Sequence, residues 1–138
     1  MKKAVVYASD TGNTEMMANA VMEGAKASGA DVYFETADNA DASEVLGCDV
    51  IFLGSAAMGA EVLHDNVEAL FQSMEGSLSG KKIGIFGSYD WGDGQWLRDW
   101  AARITAAGGT VINGEGLMAH LTPEPADLDN CRALGAMN

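Results

Sequence analysis

Short apolar runs and stretches of helical spacing alternate along the whole chain. Lys3 to Ala8 is nearly all apolar and reads as a buried strand. Glu15 to Ala27 carries Met16, Met17, Ala20, Val21, Gly24 and Ala25 at helical spacing, a stripe expected to pack into the core. Ser28-Gly29 ends that helix. Val32 to Thr36 reads as a second strand, and Ala37 to Leu46 as a loop with a short helix. Asp49 to Gly54 is a third strand. Leu63 to Met74 follows as a helix with Leu63, Val67, Leu70, Phe71 and Met74 on one face. Lys82 to Gly87 is a fourth strand. Gln95 to Ala107 reads as a helix with Leu97, Trp100, Ala101 and Ile104 inward, stopped by Gly108-Gly109. Thr110 to Met118 holds a fifth strand, and Pro123-Glu124-Pro125 leads into a last helix from Ala126 to Ala136.

Strict alternation of strand and helix predicts an α/β fold with a parallel sheet covered on both faces. The 138 residues suit a single domain, 1–138, with no internal repeat or linker. No apolar run reaches membrane-spanning length, and Met1-Lys2-Lys3 leads straight into a strand, so the expected compartment is cytoplasmic. Cys48 and Cys131 lack metal-ligand spacing and are expected to be free thiols. Eight basic residues against twenty acidic ones give a net charge of −12. That balance opposes binding to nucleic acid or anionic membrane, and permits steering toward basic proteins.

Ligands of open parallel sheets bind beyond the carboxyl ends of the strands, so the loops there carry the candidate chemistry. The first strand feeds Ser9-Asp10-Thr11-Gly12-Asn13-Thr14, a hydroxyl-rich turn opening a helix. Helix N-termini offer unpaired N–H groups and a positive dipole end, which suits a phosphate. Ser9, Thr11, Asn13 and Thr14 add neutral donors, and Gly12 lets the turn close. No Lys or Arg lies in the turn, so phosphate charge would stay uncompensated; Asp10 adds to it and is expected to face solvent.

The loops after the third and fourth strands, Gly54 to Glu61 and Gly87 to Gly94, are rich in small residues and each carries a large polarisable side chain near its middle. Met58 and Trp91 are placed to grip a flat ring from opposite sides. Glu61 can accept a hydrogen bond from a ring N–H. Each residue alone is more often filler, core or a solvated charge. All three loops falling at one sheet edge is what points to a mononucleotide.

The motifs Ser9-Asp10-Thr11-Gly12-Asn13-Thr14, Ala57-Met58-Gly59-Ala60-Glu61 and Gly87-Ser88-Tyr89-Asp90-Trp91-Gly92-Asp93-Gly94 together resemble the short-chain flavodoxins of anaerobic bacteria, in order and over essentially the whole chain. The resemblance implies a flavodoxin-like three-layer sandwich, with a five-stranded parallel sheet of order 2-1-3-4-5 and helices on both faces. Flavodoxins are themselves among the folds from which the strand-end rule was drawn. It implies noncovalent FMN, with Ser9, Thr11, Asn13 and Thr14 at the phosphate, Met58 and Trp91 flanking the isoalloxazine, and Glu61 at its N–H. Asp10, Gly12, Ala56, Ala57, Gly59, Ala60, Ser88, Tyr89, Asp90 and Gly92 complete the implied cofactor contacts. In the family the peptide after the Met, here Gly59–Ala60, turns over on one-electron reduction and accepts a hydrogen bond from the flavin, separating the two electron steps.

The chain departs from the family at Ala60, often polar, and at Ala56, where some relatives place a phosphate-binding serine. At Asp90, commonly Gly, the carboxylate either disfavours an anionic reduced flavin or points to water. His120 is expected either near the ribityl and phosphate side or exposed. The implied function is a low-potential one-electron carrier, not an enzyme: a monomer that docks transiently on basic redox partners of the ferredoxin-using class. An FMN-dependent NAD(P)H–quinone reductase is the alternative on the same fold. A phosphoacceptor domain would need Asp after the third strand, where Leu53, Gly54 and Ser55 stand, and a P-loop needs a Gly-Lys-Ser/Thr that is absent.

Overall fold

A computed structural model describes residues 1–59 and 61–138. Its elements run β1 (Lys2–Ala8), α1 (Asn13–Ala27), β2 (Asp31–Thr36), α2 (Ala42–Leu46), β3 (Val50–Ser55), α3 (Asp65–Met74), β4 (Lys82–Tyr89), α4 (Gln95–Ala106), β5 (Thr110–Val111), β6 (Leu117–His120) and α5 (Pro125–Gly135). The sheet order is β2-β1-β3-β4-β5, with β6 also on β4, and every strand pairing is parallel. The expected sandwich and strand order therefore hold. No helix among the described residues is long and apolar enough to cross a membrane.

Period-two alternation sends successive strand residues to two separate cores. Ala4, Val6, Ile51, Leu53, Ile83 and Ile85 pack under α3 and α4, against Phe71, Met74, Trp96 and Trp100. Val5, Tyr7, Val50, Phe52 and Phe86 pack on the other face under α1 and α5, against Met17, Val21, Cys131 and Leu134. Met16, expected in this stripe, is exposed, because the buried face of α1 runs through Thr14, Met17, Val21 and Gly24 instead. Trp96, which the spacing did not single out, is fully buried. Cys48 and Cys131 are free, buried thiols; burial pushes Cys131 up to about 12.

Lys3 is the one fully buried charged residue among those described. Its Nζ donates to Ser28 Oγ at 3.0 Å and to the Gly135 carbonyl at 2.9 Å. The cation thus meets the carboxyl ends of α1 and α5, where helix dipoles are negative. Burial lowers its pKa.

The fifth strand is not continuous, contrary to the expectation from Thr110 to Met118. β4 advances from Ile83 to Phe86 while the facing chain advances from Val111 to Leu117, so the chain bulges out between β5 and β6. The Asn113 side chain fills the gap in the ladder. Its Oδ1 accepts from Ile85 N–H at 3.2 Å and its Nδ2 donates to Ile85 C=O at 2.8 Å. A side-chain amide is chemically a peptide group, so it copies the missing backbone partner. Asn113→Leu should therefore cost about 2–4 kcal/mol, one buried donor and one buried acceptor left unpaired. Urea unfolding of the two proteins measures this, and equal stability would remove the role assigned to Asn113.

On the α3–α4 surface, Arg103 meets Glu68 through two bonds of 2.7 and 2.8 Å and lies over the Phe71 ring. These bonds hold the Glu68 carboxyl below its usual range, against the opposing effect of burial. A depressed folded-state pKa contributes stability above the unfolded carboxylate value, and this is lost as pH falls through the folded one. Both side chains are about one-third exposed, so solvent screening keeps the contribution small. The stability gap between wild type and Arg103→Met should shrink between neutral pH and about pH 3. A gap independent of pH would assign it to packing on Phe71 alone.

Candidate functional site

The β1–α1 turn is shaped by Gly12, whose φ of 91° is left-handed and favours glycine. No side chain caps α1, and its first internal bond runs from Met16 N–H to Gly12 C=O at 3.0 Å. The N–H groups of Asn13, Thr14 and Glu15 are thus left at the helix start. The helix begins earlier than the expected Glu15, which puts Asn13 and Thr14 in its first turn. Tyr7 pins that turn to β1 by donating to Glu15 at 3.0 Å; burial first, and this bond second, push the phenol up to about 12.

The hydroxyls of the turn are half used. Ser9 Oγ accepts from Gly12 N–H at 3.1 Å, and the buried Thr14 Oγ1 accepts from Ser88 N–H at 3.3 Å. Both roles use a lone pair and leave the hydroxyl proton to donate elsewhere. Asp10 is exposed, as expected, but it is not free: its Oδ1 lies 3.0 Å from His64 Nε2. His64 also caps α3, its Nδ1 accepting from Asn66 N–H, so that helix starts at Asp65 and not at Leu63.

After β3, Met58 and Val62 exchange two backbone bonds of 2.9 and 3.0 Å and close a tight hairpin. Ala60, and with it the expected turnover of the Gly59–Ala60 peptide, lies outside the described residues. Within the hairpin, Gly59 has φ 32° and Glu61 has φ 55°, a conformation that costs a non-glycine residue about 1–3 kcal/mol. Glu61 is held there by its own carboxylate, whose Oε1 accepts from Gln95 N–H at 3.2 Å, the positive start of α4. That carboxylate lies where a Cβ on Gly92 would fall, so Gly92 is the residue that lets the two loops meet.

After β4, Ser88 Oγ donates to Leu121 C=O at 2.7 Å, and Leu121 N–H donates to Tyr89 C=O at 2.8 Å. His120 is exposed and spans to Asp90 C=O at 2.8 Å, with its ring 5.0 Å from that of Tyr89. It therefore braces the loop from outside. Asp90 is exposed on the rim, and Trp91 is 60% exposed just beyond.

These three loops enclose a cleft of about 230 Å³. Asp10, Thr11 and Asn13 line it from the first, Ala56, Ala57 and Met58 from the second, and Ser88, Tyr89 and Asp90 from the third. Ser9, Gly12, Thr14, Gly59, Glu61, Trp91 and Gly92 shape or flank these loops without lining the cleft. Leu121 lines it unforeseen, since nothing in the spacing of residues 117–125 marks it. His64 was missed because a lone His ahead of a helix carries no pattern. A larger cavity of about 370 Å³ lies elsewhere, against Gly116, Leu117, Leu134 and Met137. Asn113 and Asn130 also line it, but the Asn113 amide is spent on Ile85 and no helix start opens into it, so size alone does not make it the site.

The donor set fits an FMN monophosphate at one end of the cleft: open N–H groups, spare hydroxyl protons and a glycine that keeps the backbone bare. The cleft is smaller than a typical ligand pocket, and Trp91 stands exposed next to Asp90 at its rim. Residues 5–135 match the family model described as flavodoxin. The flavodoxin of Megasphaera elsdenii is 42% identical over 132 residues, covering 95% of this chain and 93% of that one. That of Clostridium beijerinckii is 39% identical over 126 residues, 91% of each. The solution structure of two-electron reduced Megasphaera elsdenii flavodoxin superposes with a TM-score of 0.84, covering 99% of this chain and 96% of that one. A flavodoxin from the domain Archaea, 28% identical, superposes at 0.89 over 99% of this chain. Fold, loop geometry and relatives agree: the chain belongs to the flavodoxin family.

Proposed function

We propose that this chain is a low-potential one-electron carrier that holds FMN in the cleft at the carboxyl ends of β1, β3 and β4. Bound FMN supplies the redox chemistry by taking up and releasing electrons singly. The protein supplies binding and environment. The α1 N-terminus with Ser9, Thr11, Asn13 and Thr14 holds the phosphate; Met58 and Trp91 cover the ring faces; Glu61, anchored at α4 through Oε1, accepts from the ring N–H with its other oxygen. Gly59 gives that hairpin the backbone freedom its positive φ requires. The single observation that carries the reading is the meeting of the three loops around one donor-rich cleft that contains no Lys or Arg. An acidic setting without a cation disfavours added negative charge on the cofactor, which is how a protein of this kind sets a low potential.

The chain works as a single domain over residues 1–138, and the cytoplasm is its expected compartment. As a redox carrier it meets other proteins. Exposed Asp65 and Asp90, and Asp93 beside Arg98, suit a basic partner of the ferredoxin-using class, met transiently. Stepwise reduction of the FMN-loaded protein tests the assignment, and two separate one-electron midpoint potentials are expected. A colourless protein that fails to take up FMN, or steady-state NAD(P)H–quinone turnover, would overturn it.

A further inference from the structure

The β1–α1 turn places a carboxylate, Asp10, among the groups that hold a phosphate, so its direction matters. Left to itself, Asp in such a turn folds back onto nearby backbone N–H groups. Here it would compete with the phosphate for the α1 N–H groups and repel it as a like charge. The structure turns it the other way. Gly12 N–H is already taken by Ser9 Oγ, and Asp10 Oδ1 is paired with His64 Nε2 at 3.0 Å.

His64 reaches Asp10 from the β3–α3 connection, and its position is set by two bonds. Its backbone N–H donates to Ser55 Oγ at 2.9 Å, a fully buried hydroxyl at the end of β3. Its Nδ1 accepts from Asn66 N–H at 3.1 Å. That bond decides the tautomer: the ring proton sits on Nε2 and is donated to Asp10. The His64 side chain is 12% exposed and that of Asp10 62%, so the fixed partner is the histidine and the held one the aspartate.

We propose that His64 is a positioning residue for the phosphate end of the cleft: through Nε2–H it draws the Asp10 carboxylate toward α3, leaving the start of α1 to the phosphate. This rests on the assignment of the cleft to FMN.

The variant His64→Ser keeps an oxygen that can cap Asn66 N–H, since Ser is among the preferred caps, but is too short to reach Asp10. FMN affinity should fall roughly threefold to tenfold, as expected for a nearby charge in a solvent-exposed setting. Affinity for riboflavin, which lacks the phosphate, should stay unchanged. Adding Asp10→Asn should restore FMN affinity to within about twofold, because the freed side chain no longer carries charge. The loss in His64→Ser should also shrink at about 1 M salt. His64→Asn, an equally good cap, carries the same expectations and stands in if the serine variant does not fold. Equal losses for FMN and riboflavin would reduce His64 to a structural cap. An unchanged FMN affinity, or a loss that Asp10→Asn does not repair, would equally overturn the proposal. Failure of the wild-type chain to bind FMN is a separate result that removes the assignment of the cleft itself.

Discussion

Gly24→Ala should lower the unfolding free energy by about 3 kcal/mol or more, the scale of a serious overpacking error. In an exposed helix the same change stabilises by about 1 kcal/mol, because Ala is the better helix former. The sign reverses here because α1 and α5 touch through their backbones. A Cβ at Gly24 would fall on the Arg132 carbonyl, and one at Gly135 on the Val21 carbonyl. The obstacle in each case is main chain, which no rotamer change can clear, so the helices must separate. Separation would also pull the Gly135 carbonyl from Lys3 Nζ and leave a buried cation short of a partner. Thermal or urea unfolding of the FMN-free protein gives the value. A variant as stable as wild type would mean that α1 and α5 have room to shift without loss.

Riboflavin is expected to bind at least about a thousandfold more weakly than FMN, a difference of about 4 kcal/mol. The two ligands differ only in the phosphate. Hydrogen bonds to a charged group contribute about 1.5–3 kcal/mol each. The start of α1 offers three N–H groups beside the spare protons of Ser9 and Thr14. Two or three such bonds therefore suffice. Against them stands repulsion from Asp10 and Asp90, both exposed, where unit charges in water interact by only about 1 kcal/mol at close range. The directed bonds win, which is why the turn needs no Lys or Arg. Flavin fluorescence titrations of the two ligands decide it, and comparable affinities would show that the turn does not hold the phosphate.

The order of elements could be read from the chain because strand and helix periods are local properties. A buried strand such as Asp49 to Gly54 is apolar along its length, whereas Leu63 to Met74 shows its inward face at helical spacing. The loops at the strand ends were legible as well, since strand order and direction put Thr11, Met58 and Tyr89 at one edge whatever the packing details. The break in the fifth strand was not. Asn113 repairs the ladder from its side chain, and an Asn flanked by Gly114 reads locally as a turn. The inward place of Trp96 and the outward place of Met16 were hidden too, because several residues of one helix are apolar and only the neighbouring strands select among them.

By itself, the sequence determined the alternating α/β architecture, the glycine and hydroxyl turn that opens α1, and the absence of a cation beside it. Each depends on residues close together in the chain. The tertiary structure alone decided that Glu61 anchors at Gln95, that His64 holds Asp10, and that Gly24 lets α1 meet α5. Those are pairings between segments far apart in sequence. Their partners are chosen by the geometry of the finished sheet, which no local pattern records.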